Sequence, residues 1–303
     1  TVELLANLGF NRMSVGVQDF AEVVQVATNR VQSFDETRLV MDAARSMGFR
    51  SISMDLIYGL PKQDITGFGR TLEKVLELSP DRISLYSYAH LPTLFMPQRR
   101  IVEAELPTAD VKLQILQLAI RCLTDAGYVY IGMDHFAKPD DELAVAQRQG
   151  RLHRNFQGYS TQAECDMLAF GVSSIARVGS IYAQNHKTLE TYYEALDRNE
   201  LPVLRGIELT ADDLLRRSII QALMCHFSLS IEPIQIERGI DFKAYFAEEL
   251  SELKDMEAAG LVRVEEERIA VLPPGRLLVR AIAMVFDRYL RADRERKRYS
   301  RVI

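Results

Sequence analysis

The sequence predicts an α/β protein whose parallel strands are joined by helical crossovers. Short apolar runs of strand length alternate with amphipathic runs of helix length, and glycines or turn clusters separate them. The strands recur at a spacing of roughly 30–40 residues, which leaves room for a right-handed helical crossover between them. A barrel and an open doubly wound sheet both satisfy this order. In either, the loops after the carboxyl ends of the strands carry the site.

Glu3 to Gly9 reads as the end of an amphipathic helix, with Leu4, Leu5 and Leu8 on one side and Gly9 as its stop. Arg12 to Gln18 alternates Met13, Val15 and Val17 with small or polar residues and predicts the first strand. Asp35 to Met47 carries an apolar stripe closed by Gly48, Ser51 to Tyr58 is the second strand, and Gly59-Leu-Pro61 breaks the chain. A helix over Phe68 to Leu78, a turn at Ser79-Pro80-Asp81 and a third strand over Arg82 to Tyr88 complete a β–α–β–α–β order. Next come a helix over Ala109 to Ala126, one further strand over Tyr128 to Phe136 ending in Asp134-His135, and a short helix over Leu143 to Gln149. His153 to Tyr159 is rich in hydrogen-bonding side chains and predicts a surface loop or site lining. From Thr210-Ala-Asp-Asp213, a capping-box start, the character becomes helical. Helices to Cys225 and over Phe242 to Ala259, a hairpin over Leu261 to Leu272 and a last helix over Arg276 to Leu290 outline a winged-helix-like module.

The 303 residues suggest two domains at ~100–200 residues each. The expected boundaries are 1–205 and 206–303. With 37 basic against 42 acidic residues, the net charge of −5 gives no general attraction to nucleic acid or anionic membrane. The longest apolar run, Leu277 to Val285, is interrupted by Arg280 and falls short of the ~20 residues of a membrane span, so a soluble chain is expected. Cys122, Cys165 and Cys225 lie far apart with no CxxC pair, which argues against a disulfide framework or a cysteine-only metal site and fits a reducing compartment. The chain opens on Thr1 rather than Met, with no leader, and the expectation is a missing N-terminus.

Gln18, Asp55 and Ala89 fall at or near the ends of three successive strands, where an amide and a carboxylate suit an amine- or ribose-bearing ligand. A turn or cap role competes at each. Arg30 could pair a carboxylate in two-pronged fashion, or simply be solvated. Asp134-His135 has no further histidine at ligand-like spacing, so no metal site is expected there, and His90 is the better candidate for lining a site. No P-loop, nucleophile elbow or GxGxxG follows any strand.

Six strings occur in order: Gly16-Val-Gln-Asp-Phe20, Asp55-Leu-Ile-Tyr-Gly-Leu-Pro61, Tyr88-Ala-His-Leu-Pro92, Gly132-Met-Asp-His-Phe-Ala137, Asp140-Asp-Glu-Leu-Ala-Val-Ala-Gln147 and His153-Arg-Asn-Phe-Gln-Gly-Tyr159. With Phe286-Asp287 and Ser300-Arg-Val-Ile303, they make the whole chain resemble the oxygen-independent coproporphyrinogen III oxidase (HemN) family of radical S-adenosylmethionine enzymes. The resemblance implies the second half of a (β/α)6 barrel, followed by a mainly helical domain that covers the site. It also implies a cytoplasmic enzyme, monomeric at full length, that converts two propionates of coproporphyrinogen III to vinyls with S-adenosylmethionine, a [4Fe-4S] cluster, and an electron donor and acceptor. By the same resemblance Gln18, Arg30, Asp55, Ala89 and Ile175 would contact S-adenosylmethionine, and Phe156 and Gln157 would belong to the catalytic pocket. Substrate carboxylates need cations, for which Arg99, Arg100, Arg154 and Arg301 are candidates by composition. The family's CxxxCxxC cluster motif is absent from these residues. The chain is therefore expected to be the C-terminal two-thirds of the enzyme, inactive alone. A haem-chaperone relative, or a truncated tetrapyrrole binder, is the competing expectation.

Overall fold

The computed structural model describes residues 1–163 and 165–292. The Ser300 to Ile303 string and Arg301 lie outside the described residues. The chain packs as two units, which part between Gly150 and Arg151. The division expected at 205/206 falls inside the second unit, in which Arg154 and Tyr159 bond residues of the helix that ends at His226. Gln221 accepts from the Arg154 backbone N–H at 3.0 Å, and the Tyr159 hydroxyl donates to the Met224 carbonyl at 3.0 Å.

The first unit runs α1 (Val2–Asn7), β1 (Arg12–Gln18), α2 (Glu22–Ala27), α3 (Phe34–Ser46), β2 (Ser51–Tyr58), α4 (Ile65–Leu78), β3 (Arg82–Ser87), α5 (Ala109–Asp125), β4 (Val129–Gly132), β5 (His135–Ala137) and α6 (Glu142–Arg148). The helix starts follow capping chemistry. Ser33 and Glu36 form a reciprocal capping box on α3, and backbone then side-chain bonds from Ser33 hold the Glu36 carboxyl below its ordinary range. Asp64 accepts from the Gly67 N–H at 2.6 Å to start α4.

The strands form one sheet in the order β1-β2-β3-β5-β4. β1, β2 and β3 are mutually parallel, as the alternation predicts. Period-2 patterning sorts the two faces. Ile52, Met54 and Leu56 of β2 with Ile83 and Leu85 of β3 are buried against Phe68, Leu72 and Val75 of α4 and Ile115 and Ala119 of α5. At about 1.5–3 kcal/mol for each large apolar side chain, this face holds the helices on the sheet. The opposite face carries Ser14, Gly16, Asp55, Ile57, Ser84 and Tyr86, most of them small or polar.

One expected element is corrected. Tyr128 to Phe136 is not a single strand but a hairpin, β4 and β5, turning at Met133-Asp134, and β5 runs antiparallel to β3. Gly132 at φ 140° and Met133 at φ 52° bend the chain where a strand would need extended backbone. Asp134-His135 therefore sits at a turn and the start of a returning strand, not at a strand's carboxyl end.

The second unit opens with a hairpin of β6 (His153–Asn155) and β7 (Gly158–Ser160), where a loop was expected. An antiparallel sheet follows, made of β8 (Ile175–Val178), β9 (Ile181–Asn185) and β10 (Val203–Glu208), with α7 (Leu189–Asp197) between the last two. The helical module contains α8 (Ala211–His226), β11 (Ser228–Ser230), α9 (Ile231–Arg238), α10 (Phe242–Tyr245), α11 (Ala247–Ala258), β12 (Val262–Val264), β13 (Arg268–Val271), α12 (Val279–Met284) and α13 (Arg288–Ala292). The expected 242–259 helix breaks at Phe246, whose ring turns inward between Phe242 and Phe286. The expected last helix breaks before Arg288, where the Asp287 carboxylate accepts from the N–H groups of Tyr289 and Leu290 and starts a new helix. The hairpin gains a third strand, β11, which pairs with β13. No helix among the described residues is long and apolar enough to cross a membrane.

Candidate functional site

The carboxyl ends of β1 and β2 bring three of the sequence-selected residues together. Gly16 lies opposite Asp55, and after a bulge at Val17 the next partners are Gln18 and Leu56. Gln18 sits in the left-handed region at φ 66°, a strained state for a side-chain-bearing residue that local contacts must hold. Arg30 returns from the loop after α2, and its Nη2 donates to the Gly16 carbonyl at 2.9 Å. A Cβ on Gly16 would come within 2.8 Å of Gln18 Nε2 and 2.9 Å of Arg30 Nη2, so the bare backbone is what lets both polar heads converge. Asp55, half-buried on the same face, accepts from the Ser14 hydroxyl at 3.0 Å through one oxygen. Ala89 is exposed just past β3, and its carbonyl accepts from Gln98 Nε2 at 3.0 Å.

A buried network beneath this cluster escaped the sequence reading. Asp19, 1% exposed, accepts from the Thr71 hydroxyl and Gln63 Nε2, both at 2.6 Å, and from the Ala21 N–H at 2.7 Å. Gln63 in turn accepts from the N–H groups of Gly59 and Leu60 and donates to the Ile57 carbonyl. Gln25 Nε2 donates to the carbonyls of Asp19 and Gln32, which closes the loop that carries Arg30. The signal was available: Asp19 directly follows the first predicted strand, and Gln63 follows the Gly59-Leu-Pro61 break after the second.

Lys112 is a second missed residue. Its amine donates to the Tyr88 carbonyl at 3.3 Å, its stem covers Gly59, and burial lowers its pKa. His90 Nδ1 lies 3.2 Å from the Tyr88 hydroxyl.

The acids of the Asp140 to Gln147 string act at the other end of the strands. Asp141 and Glu142 both bond Arg82 at 2.8 Å, at the start of β3, and Glu142 reaches Arg12 at the start of β1 at 2.6 Å. Burial alone would lower the Arg82 pKa, but the bonds to these two acids outweigh it and raise the pKa.

In the second unit, Phe156 and Gln157 form the turn of the β6–β7 hairpin. Phe156 and Ile175 line one cavity of about 430 Å³. Gln157 is exposed and does not line it; its N–H donates to Asn155 Oδ1 at 2.8 Å. Of the cation candidates, Arg154 lines this cavity, whereas Arg99 and Arg100 are exposed on a short 3-10 turn of the first unit.

Residues 1–75 match the radical SAM superfamily, and residues 209–278 match the HemN C-terminal domain. An oxygen-independent coproporphyrinogen III oxidase of Thermostichus vulcanus is 50% identical over 284 residues, which make up 93% of this chain and 87% of that protein. This chain belongs to the oxygen-independent coproporphyrinogen III oxidase family. The family's Pseudomonas aeruginosa member is 52% identical over 303 residues, all of this chain and 66% of that one. This chain thus spans about two-thirds of that relative. The solved Escherichia coli oxidase, described as a radical SAM enzyme, superposes with a TM-score of 0.93 at 51% identity, covering 96% of this chain and 68% of the other. The α/β fold with a helical C-terminal domain, expected of the oxidase family, is therefore the fold observed.

Proposed function

We propose that this chain supplies the S-adenosylmethionine-holding strand ends and the helical domain of an oxygen-independent coproporphyrinogen III oxidase. The proposed reaction converts two propionates of coproporphyrinogen III to vinyls with loss of carbon dioxide, giving protoporphyrinogen IX. The observation that carries this reading is the cradle over Gly16, where Gln18, Arg30 and Asp55 converge with hydrogen-bonding capacity to spare.

These residues fit S-adenosylmethionine. Arg30 uses one guanidinium nitrogen on Gly16 and keeps the rest of its fork for a carboxylate. Asp55 keeps an oxygen for an ammonium or a ribose hydroxyl pair, and the Gln18 amide can serve either end of the ligand. Ala89 offers apolar contact to adenine or methyl groups, and Ile175 is an apolar lining residue of the second unit's cavity. Phe156 offers a ring on which a flat ligand can pack, and Gln157 an amide that could orient it. When bound, S-adenosylmethionine supplies the radical chemistry that removes hydrogen from a propionate side chain. Electron transfer calls for a donor and an acceptor besides this chain. The same reading makes the protein a monomer of the cytoplasm.

The residues present do not fit an iron–sulfur cluster. Cys122 is half-buried in α5, Cys165 is exposed, and Cys225 is buried in α8 with its thiol pushed up to about 12 by desolvation. Among the described residues no group of three or more His, Cys, Asp or Glu could hold a metal ion. A cluster needs closely placed thiolates. Anaerobic reconstitution of this chain is accordingly expected to leave it without stoichiometric iron and sulfide, and a full cluster would refute this assignment.

Gly16→Ala tests the cradle. The added methyl meets only the far ends of two flexible side chains, so the fold should keep its melting temperature within a degree or two. Displacing both polar heads should weaken S-adenosylmethionine binding by about tenfold or more in isothermal titration, the equivalent of one charged hydrogen bond. Equal dissociation constants for the two proteins would remove the cradle from the binding site.

A further inference from the structure

The cavity of the second unit combines an apolar wall with an unbalanced positive charge. Met167, Ile207 and Met224 supply much of the wall, and Arg154, Arg177 and Arg217 stand among them with no Asp or Glu in the lining. Its volume of about 430 Å³ falls in the ~300–1,000 Å³ range of small-molecule sites.

The three arginines are not equivalent. Arg177 Nη2 is already engaged, donating to the carbonyls of Ala163 and Cys165. Arg154 Nε and Arg217 Nη1 are buried with no hydrogen-bond partner among the described residues. Buried guanidinium donors are normally paired, so two unpaired ones in one cavity indicate an acceptor that arrives with a ligand. Arg154 is also held in place. Gln221 of α8 bonds both its N–H and its carbonyl, and its guanidinium lies 5.6 Å from the Tyr159 ring centroid. A site with aliphatic and aromatic walls and two waiting forked donors suits a flat apolar body that ends in carboxylates.

We propose that Arg154 and Arg217 receive the carboxylates of such a polycarboxylate in this cavity. The chemical class rests on the arginine geometry; its naming as the propionate-bearing edge of coproporphyrinogen III rests on the proposed function above. Only an edge of the macrocycle is meant, since the cavity is small for the whole.

The test is a fluorescence titration of this chain with coproporphyrin III, the stable oxidised form of the substrate, with its tetramethyl ester, and with naphthalene-2,6-dicarboxylate as a flat dicarboxylate that is no tetrapyrrole. Arg154→Gln and Arg217→Gln should each weaken coproporphyrin III binding by about ten- to hundredfold, the effect of one lost charged hydrogen bond. Arg217→Lys should recover part of it, and the ester should bind poorly to every form. The glutamine variants should melt within a degree or two of the parent, because each removes a guanidinium with a buried, unsatisfied nitrogen. If these variants bind coproporphyrin III as well as the parent does, the arginine assignment is overturned while the oxidase reading stands. Loss of binding in all three variants together with lower melting temperatures would show a structural role and overturn it too. If the parent ignores coproporphyrin III yet holds the naphthalene dicarboxylate through Arg217, the carboxylate site stands and the tetrapyrrole reading falls.

Discussion

Asp19→Ala is expected to cost about 3–5 kcal/mol of folding stability, the largest effect of any substitution considered, without touching a ligand-facing atom. The carboxylate is buried and collects three donors, from Thr71, Gln63 and Ala21. Alanine would leave all three donors without their acceptor at a position closed to bulk solvent. Each unsatisfied buried donor costs about 1–3 kcal/mol, more where the lost partner was charged, and partial relaxation brings the sum down to the range given. Asp19→Asn should cost less but remain damaging, since its amide would point a donor at one of the existing donors. Urea unfolding, followed through the transition of the first unit, measures both. A loss below about 1 kcal/mol for alanine would mean that the network is dispensable.

Asp55→Ala should do the opposite, weakening S-adenosylmethionine binding by roughly 10- to 150-fold, or about 1.5–3 kcal/mol, while leaving the fold nearly unchanged. Asp55 is half-buried, its one side-chain partner among the described residues is the Ser14 hydroxyl, and its flanking residues Met54 and Leu56 hold the strand by packing on the opposite face. A capping role for Asp55 would instead show as lost stability. The Gly59-Leu60 turn takes its bonds from Gln63 and not from Asp55, which leaves the carboxylate available to a ligand. Melting temperature and dissociation constant measured on the same sample separate the two roles, and an unchanged dissociation constant would exclude Asp55 from the site.

Periodicity made the first unit legible. The alternation over Arg12 to Gln18, Ser51 to Tyr58 and Arg82 to Ser87 reports one buried face, and the capping residue Thr210 marks a helix start that the structure reproduces. The hairpin at Gly132-Met133 was missed because an apolar run of strand length looks alike whether it continues or doubles back, and only backbone angles distinguish the two. Residues 161–209 show no secondary-structure signal in the sequence. Their strands β8 to β10 are short and mostly exposed or half-buried, so they carry little of the alternation that reveals a strand. Gln18, Arg30 and Asp55 could be selected as strand-end and loop residues, but their convergence on Gly16 could not, because it depends on a bulge and a left-handed Gln18. The arginine cavity was out of reach for a similar reason: Arg154 and Arg217 come from a hairpin and a helix far apart in sequence, and the unsatisfied state of Arg154 Nε and Arg217 Nη1 is a property of packing.

The string from Asp140 to Gln147 is one of the six that carry the resemblance to this family, yet its acids fasten the amino ends of β1 and β3 through Arg12 and Arg82, on the rim opposite the cradle. A signature can therefore identify a lineage while recording its carpentry and not its chemistry. A descendant that replaced this clamp with another anchoring pair would lose the signature and keep every reactive group at the strand ends. One that kept the clamp and lost Gly16 would look like an authentic member and hold its ligand there only weakly.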